Sequence, residues 1–129
     1  MLRVGRELRR EARKVGVSPE QVSLLVAIKH TRGIGVGELA ARERVSAPAM
    51  SNHVDRLERD GLVERTPSAG DRRRVGLSLT AEGRRVLRRV QSRRTAWLAS
   101  RLRRLTSEEL AAVEAAIGPL SRLLDEDTL

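Results

Sequence analysis

The stretch VGELAARERVSAPAMSNHVDRLERDGLVERTPSAGDRRRVGLSLT, running from Val36 to Thr80, decides the fold. It opens with Val36, Leu39 and Ala40, apolar residues at helical spacing, and reaches the short turn Glu43-Arg44-Val45. A second helix starts at Ser46, a good N-cap. Val45 stands four residues ahead of Ala49 and five ahead of Met50, the spacing of a hydrophobic staple. Met50, Val54 and Leu57 recur at i, i+4 and i+7 as a buried stripe, which leaves Pro48, Ser51, Asn52, Asp55, Arg56 and Arg59 on the opposite side.

Asp60-Gly61 ends this helix, because glycine accepts the left-handed conformation found at helix C-termini. A hairpin from Leu62 to Leu79 follows, with Val63 and Arg65 alternating on one strand and Val75, Leu77 and Leu79 on the other. Pro67-Ser68-Ala69-Gly70 has the chemistry of a turn, and Asp71-Arg72-Arg73-Arg74 sits at the tip. Helix, tight turn, helix and hairpin in this order describe a winged helix-turn-helix, which offers one helix to the DNA major groove and a loop to the backbone or minor groove.

The expected DNA contacts follow from that order. On the recognition helix they are Ser46, Ala47, Pro48, Ser51, Asn52 and Arg56. Small residues in its first turn permit close approach, while Asn and Arg can each hydrogen-bond bidentately to a purine edge, so Asn52 and Arg56 are the candidate base readers. The wing supplies Arg65, Asp71, Arg72, Arg73 and Arg74, with the arginines suited to phosphate or a narrow minor groove and Asp71 placed to orient one of them.

Flanking helices complete a mainly α chain with one β-hairpin, read as a single domain over 1–129 with its winged core at 18–80. The first helix covers about Leu2 to Lys14. The next opens at Ser18-Pro19-Glu20-Gln21, an N-cap, a proline at N1 and a capping-box glutamine, and buries Val22, Leu24, Leu25 and Ile28. Thr80 caps a long helix expected to reach about Leu105, with Val86, Leu87, Val90, Trp97, Leu98 and Leu102 as its seam. Thr106 and Glu109 form another capping box. Beyond it Leu110, Val113, Ile117, Leu120 and Leu124 repeat at 3, 4, 3, 4 spacing, and Gly118-Pro119 is expected to kink the helix. Either a partner subunit covers this stripe or it folds back on the long helix.

Composition narrows the function. The net charge of +9 is uneven: residues 1–105 carry 25 basic and 11 acidic groups, a net +14, while 106–129 carry one basic and six acidic, a net −5. A basic body suits a polyanion, with the acidic end turned away from it. There is no cysteine, which excludes disulfides, thiolate metal sites and thiol sensing, and the two histidines, His30 and His53, show no metal-ligand spacing. No apolar run has bilayer length and no signal peptide is evident, so a cytoplasmic location is expected. The absence of a nucleophile elbow, phosphate loop or metal cluster argues against an enzyme, and no cofactor is expected. The arginine run Arg84, Arg85, Arg88, Arg89, Arg93 and Arg94 reads as a solvated face rather than a second DNA surface.

Taken in register, Val36-Gly37-Glu38-Leu39-Ala40, Val45 to Ser51, Val54 to Arg65, Asp71-Arg72-Arg73 and Leu77 to Gly83 resemble the MarR family, the multiple antibiotic resistance regulators. The most specific part is the aspartate-x-arginine wing followed by Leu79-Thr80-Ala81-Glu82-Gly83, and the resemblance extends over nearly the whole chain. It implies a sequence-specific, dimeric repressor on a pseudo-palindromic operator of double-stranded DNA, released by a small-molecule effector. It implies a homodimer built from the first, fifth and sixth helices, here through Val86, Val90, Trp97, Leu110, Val113, Ile117, Leu120 and Leu124. It also implies that Arg73 pairs with Asp71 while pointing its fork at DNA. Family effectors are often small aromatic carboxylates or phenols bound between the dimer helices and the winged region. With one Trp and neither Phe nor Tyr, the pocket expected here has aliphatic walls plus arginine, with Leu25, Lys29, His30 and Trp97 as candidate lining. The alternative from another class is an architectural protein that coats DNA through charge and shape, without an effector.

Overall fold

Capping groups set most of the helix starts and stops. The computed structural model describes residues 2–68 and 71–124, without the side chains of 2, 68 and 71–73. Its elements are α1 (Leu2–Val15), α2 (Pro19–His30), α3 (Val36–Glu43), α4 (Ala47–Arg59), β1 (Val63–Ser68), β2 (Asp71–Leu79), α5 (Ala81–Leu102) and α6 (Ser107–Leu124). Ser18 caps α2 with the full reciprocal box: the Gln21 amide donates to Ser18 Oγ at 3.1 Å and the Ser18 amide donates to Gln21 Oε1 at 3.0 Å. At α4 the Ala49 amide donates to Ser46 Oγ at 3.2 Å. Such caps contribute about 1 kcal/mol each.

The chain divides into two units, Met1–Arg94 and Thr95–Leu129. In the first, Leu25, Ile28, Ile34, Leu39, Met50, Val54, Leu57, Leu77, Leu87 and Val90 are almost wholly excluded from solvent. This core holds the periodic residues of α2, α3 and α4 together with the inner face of the hairpin. β1 and β2 pair antiparallel from Val63↔Leu79 to Pro67↔Val75, after which the register jumps to Ser68↔Asp71. Residues 72–74 therefore face a single step of β1. A bridge between Ile34 and Leu77 adds the segment before α3 to the edge of β2, with the Gly33 amide donating to the Leu77 carbonyl and the Leu77 amide to that of Ile34, each at 2.9 Å.

Several expectations change here. Val86 and Val90, expected at a dimer interface, are buried in the core of their own chain, because the first turns of α5 pack onto the winged region. Pro67 and Ser68 belong to β1 rather than to a turn, whereas Ala69 and Gly70 lie outside the described residues. α5 ends at Leu102, short of Leu105, which lies in a turn where its amide donates to the Leu102 carbonyl. Val45 remains 39% exposed beside the buried Met50.

At the α1–α5 contact a buried carboxylate is held by two cations. Glu11 accepts from Lys14 Nζ at 3.0 Å and from Arg93 Nε at 3.1 Å, and Arg94 Nε donates to the Leu8 carbonyl at 3.0 Å. The Lys14 hydrogen bond and charge, helped by Arg93, hold the Glu11 carboxyl below its ordinary value against the opposing effect of burial. A lowered folded-state value stabilises the fold at neutral pH, and that contribution is lost as pH falls below 4.5, the ordinary value, through the lowered one. Glu11→Gln should accordingly melt below wild type at pH 7, with the gap closing in acid. A gap independent of pH would contradict this linkage.

The second unit holds the last turns of α5 and α6. Thr106 and Glu109 form the expected capping box, the Thr106 amide donating to Glu109 Oε1 at 2.9 Å and the Glu109 amide to Thr106 Oγ1 at 3.1 Å. α6 runs through Gly118-Pro119 as one helical element. Trp97 is half-buried, with the Arg101 guanidinium 5.4 Å from its ring centroid. No described residue of α6 is buried, and Leu110, Val113, Ile117, Leu120, Leu123 and Leu124 are all exposed. At ~100° per residue, five of these six, Leu110, Val113, Ile117, Leu120 and Leu124, fall within an arc of about 80°.

Candidate nucleic-acid interface

The buried stripe Met50, Val54 and Leu57 fixes how α4 is turned. Taking about 100° per residue, Asn52 and Arg59 point almost directly away from that stripe, Arg56 lies about 50° to one side and Asp55 about 50° to the other. Asn52, Asp55, Arg56 and Arg59 are all exposed, as are Ser46, Ala47 and Pro48 at the start of the helix, while Ser51 is half-buried. The outer face of α4 is thus small at its N-terminal end and polar beyond, a surface that fits a groove floor.

The two flanks of α4 differ. On one side Arg56 and His53 border a hollow of about 360 Å³ shared with Ser18, Glu20, Gln21 and Leu24 of the α2 start. On the other side the hairpin is tied to the helix. Arg65 Nη2 donates to Asp55 Oδ1 at 2.7 Å, and Arg65 Nε lies 3.3 Å from Glu58 Oε2. This changes the work of Arg65. Expected to reach DNA from the wing, it instead spends its fork on two carboxylates of α4, one turn of helix apart, and so clamps the wing to the recognition helix.

At the base of the wing Thr80 joins three elements. Its hydroxyl donates to the Gly61 carbonyl at 2.6 Å and accepts from the Gly83 amide at 3.0 Å, while its own amide donates to the Leu62 carbonyl at 3.1 Å. Arg74 is exposed and borders a hollow with Gly33, Gly35, Gly37, Glu38 and Val75. The side chains of Asp71, Arg72 and Arg73, and with them the expected Asp71–Arg73 pair, lie outside the described residues.

The candidate effector residues differ in their surroundings. Leu25 is wholly buried, His30 is exposed, and Trp97 belongs to the second unit. Lys29 borders a cavity of about 510 Å³ lined also by Ile28, Arg32, Glu64, Ser78, Leu79 and Arg84.

A family model described as MarR family matches residues 17–75, the segment that carries the helix-turn-helix and most of the hairpin. A Bacillus subtilis protein named HTH-type transcriptional repressor MdtR is 34% identical over 121 residues, covering 94% of this chain and 78% of that one. The chain belongs to the MarR family. The solved structure of the YusO protein from Bacillus subtilis superposes with a TM-score of 0.80 at 33% identity over 94% of this chain and 86% of that one. A MarR family protein from Bacillus stearothermophilus gives 0.77 at 25% identity, covering 95% and 89%. This MarR-family protein is a DNA-binding transcriptional regulator with a winged helix-turn-helix fold, and no helix among its described residues is long and apolar enough to cross a membrane.

Three features of this regulator were not read from the sequence: the Arg65 clamp, the ties from the helix cap Thr80 back to Gly61 and Leu62, and the left-handed backbone of Arg44 at the end of α3, with φ 57°. Asp55 and Arg65 stand ten residues apart across a helix end, so no periodicity links them. The clamp makes a testable distinction. Exposed ion pairs contribute little to stability, so Arg65→Ala should cost under about 1 kcal/mol of folding. It should weaken DNA binding by about 0.5 to 1.5 kcal/mol, because an untethered wing has more freedom to lose on docking. The salt slope of binding should stay as in wild type. A slope lowered by about one unit per subunit would mean that Arg65 meets phosphate directly.

Proposed function

We propose that this protein is a homodimeric repressor that reads a pseudo-palindromic operator and is released by a small-molecule effector. The observation that carries sequence reading is the outward direction of Asn52 at the centre of the exposed α4 face, with the hairpin fixed beside it by Arg65. Asn52 and Arg56 read base edges, Ser46, Ala47, Pro48 and Ser51 allow close approach, and Arg72, Arg73 and Arg74 of the wing meet phosphate or the minor groove. Asp71 orients Arg73.

The uncovered apolar arc of α6 supports dimerisation through Leu110, Val113, Ile117, Leu120 and Leu124. Two-fold symmetry then sets two α4 helices on half-sites about one DNA turn apart. Repression is the role named for the Bacillus subtilis relative. The cavity bordered by Lys29, Arg32 and Arg84, three cations against the single carboxylate of Glu64, supports a small anion as effector. It adjoins the root of the hairpin through Glu64, Ser78 and Leu79, so a bound anion would bear on the wing.

The test starts from a duplex selected by the protein out of a randomised library. At fixed salt, affinity for that duplex should exceed affinity for random DNA of equal length by about a thousandfold or more. A ratio near one would instead support the architectural alternative.

A further inference from the structure

Three helices of the first unit end in the same backbone motif, and the residue at its left-handed position differs in one of them. At the end of α1 the Gly16 amide donates to the Arg13 carbonyl and the Val17 amide to that of Ala12. At the end of α4 the Gly61 amide donates to the Glu58 carbonyl and the Leu62 amide to that of Leu57. At the end of α3 the Arg44 amide donates to the Ala41 carbonyl at 3.3 Å and the Val45 amide to that of Ala40 at 3.1 Å. The motif needs a positive φ, and the first two helices meet the need with glycine, Gly16 at 96° and Gly61 at 75°. The third uses Arg44 at 57°, the one non-glycine residue with positive φ among the described residues. A Cβ in that conformation is strained, so the backbone of this turn gives no reason for arginine.

The side chain does. Arg44 is exposed and has no hydrogen-bond or ion-pair partner among the described residues, unlike its neighbour Arg42, which donates to Thr31 Oγ1 at 2.7 Å. Glu43, the adjacent carboxylate, accepts from Ser23 Oγ at 3.4 Å instead. The result is an uncompensated guanidinium on the turn between α3 and α4, two residues before Ser46. We propose that Arg44 is a DNA-phosphate contact, which anchors the helix-turn-helix to the backbone beside the groove that α4 enters. The strain at the turn is retained because it carries this charge. The assignment rests on α4 being the groove-facing helix. A phosphate contact positions the protein and carries no sequence information, so it acts on every duplex alike.

Arg44→Gly separates the two roles of the residue, since it relieves the backbone while removing the charge. The melting temperature should rise. Affinity should fall about tenfold, and equally, for the selected and the random duplex, as expected for loss of a charge-assisted hydrogen bond. The salt slope should drop by about one unit per subunit contact. Arg44→Lys should keep the slope. Unchanged affinity and slope in Arg44→Gly, or a loss confined to the selected duplex, would overturn the assignment. The slope on random DNA decides the matter without reference to sequence preference, so a failure of base reading by α4 would show separately, as a wild-type protein indifferent to the selected duplex.

Discussion

Gly83→Ala should destabilise this protein by about 3 kcal/mol or more, lowering its melting temperature by roughly 10 °C. A Cβ built at Gly83 would run into the Leu62 carbonyl oxygen, with the carbonyl carbon and Cα at 3.0 and 3.3 Å. These are backbone atoms, so no side-chain rotation can clear them. The Leu62 carbonyl is also held in place, since it accepts from the Thr80 amide, and the Thr80 hydroxyl ties Gly61 to the Gly83 amide. Any shift of α5 away from the clash pulls Val86, Leu87 and Val90 out of the core. Gly37→Ala provides the contrast: it lies in α3 with nothing within 4 Å of an added Cβ, and should stabilise by about 0.5 to 1 kcal/mol. Thermal melting of both variants checks the pair, and a Gly83→Ala protein as stable as wild type would mean that α5 does not start against Leu62.

Leu120→Asp or Leu124→Asp should leave the protomer folded and abolish association at micromolar concentration. Both side chains are exposed in the isolated chain, 48% and 79%, so a charge there is solvated in the monomer. In a two-fold dimer the same charge is buried without a partner, and it enters twice. An unpaired buried charge costs about 3 to 5 kcal/mol, enough to dissociate an interface of ordinary strength. Sedimentation at matched concentrations is the measurement. An intact dimer in both variants, or a monomeric wild type, would contradict the interface. Aspartate at Val86 or Val90, buried in the chain's own core, should unfold the protomer instead.

That difference marks where the sequence was legible. Helical spacing gave the stripes of α2 and α4, and side-chain oxygens at Ser18, Ser46 and Thr106 gave helix starts that the structure keeps to the residue. Both signals are local, set by 3.6-residue periodicity and by the unsatisfied amides of a first helical turn. What covers a stripe is not local. Val86 and Leu120 look alike in sequence, yet one is buried by the winged region of its own chain and the other is exposed. Arg65 illustrates the same limit in the site: an arginine on an exposed strand reads as a DNA contact until Asp55 and Glu58 are found within reach of its fork. Arg44 is legible only from its φ angle, because nothing in residue type marks a left-handed arginine.

Base reading by the outer face of α4 is the central claim, and Asn52 points almost directly out from that face. The direct measurement is the affinity of Asn52→Ala, with Arg56→Ala beside it, for the selected duplex and for random DNA at one salt concentration. Each variant should lose about 1 to 3 kcal/mol on the selected duplex, Asn52→Ala the more of the two, and almost nothing on random DNA. Equal losses on both duplexes would contradict the account, because they would make α4 a backbone-binding helix that carries no sequence information.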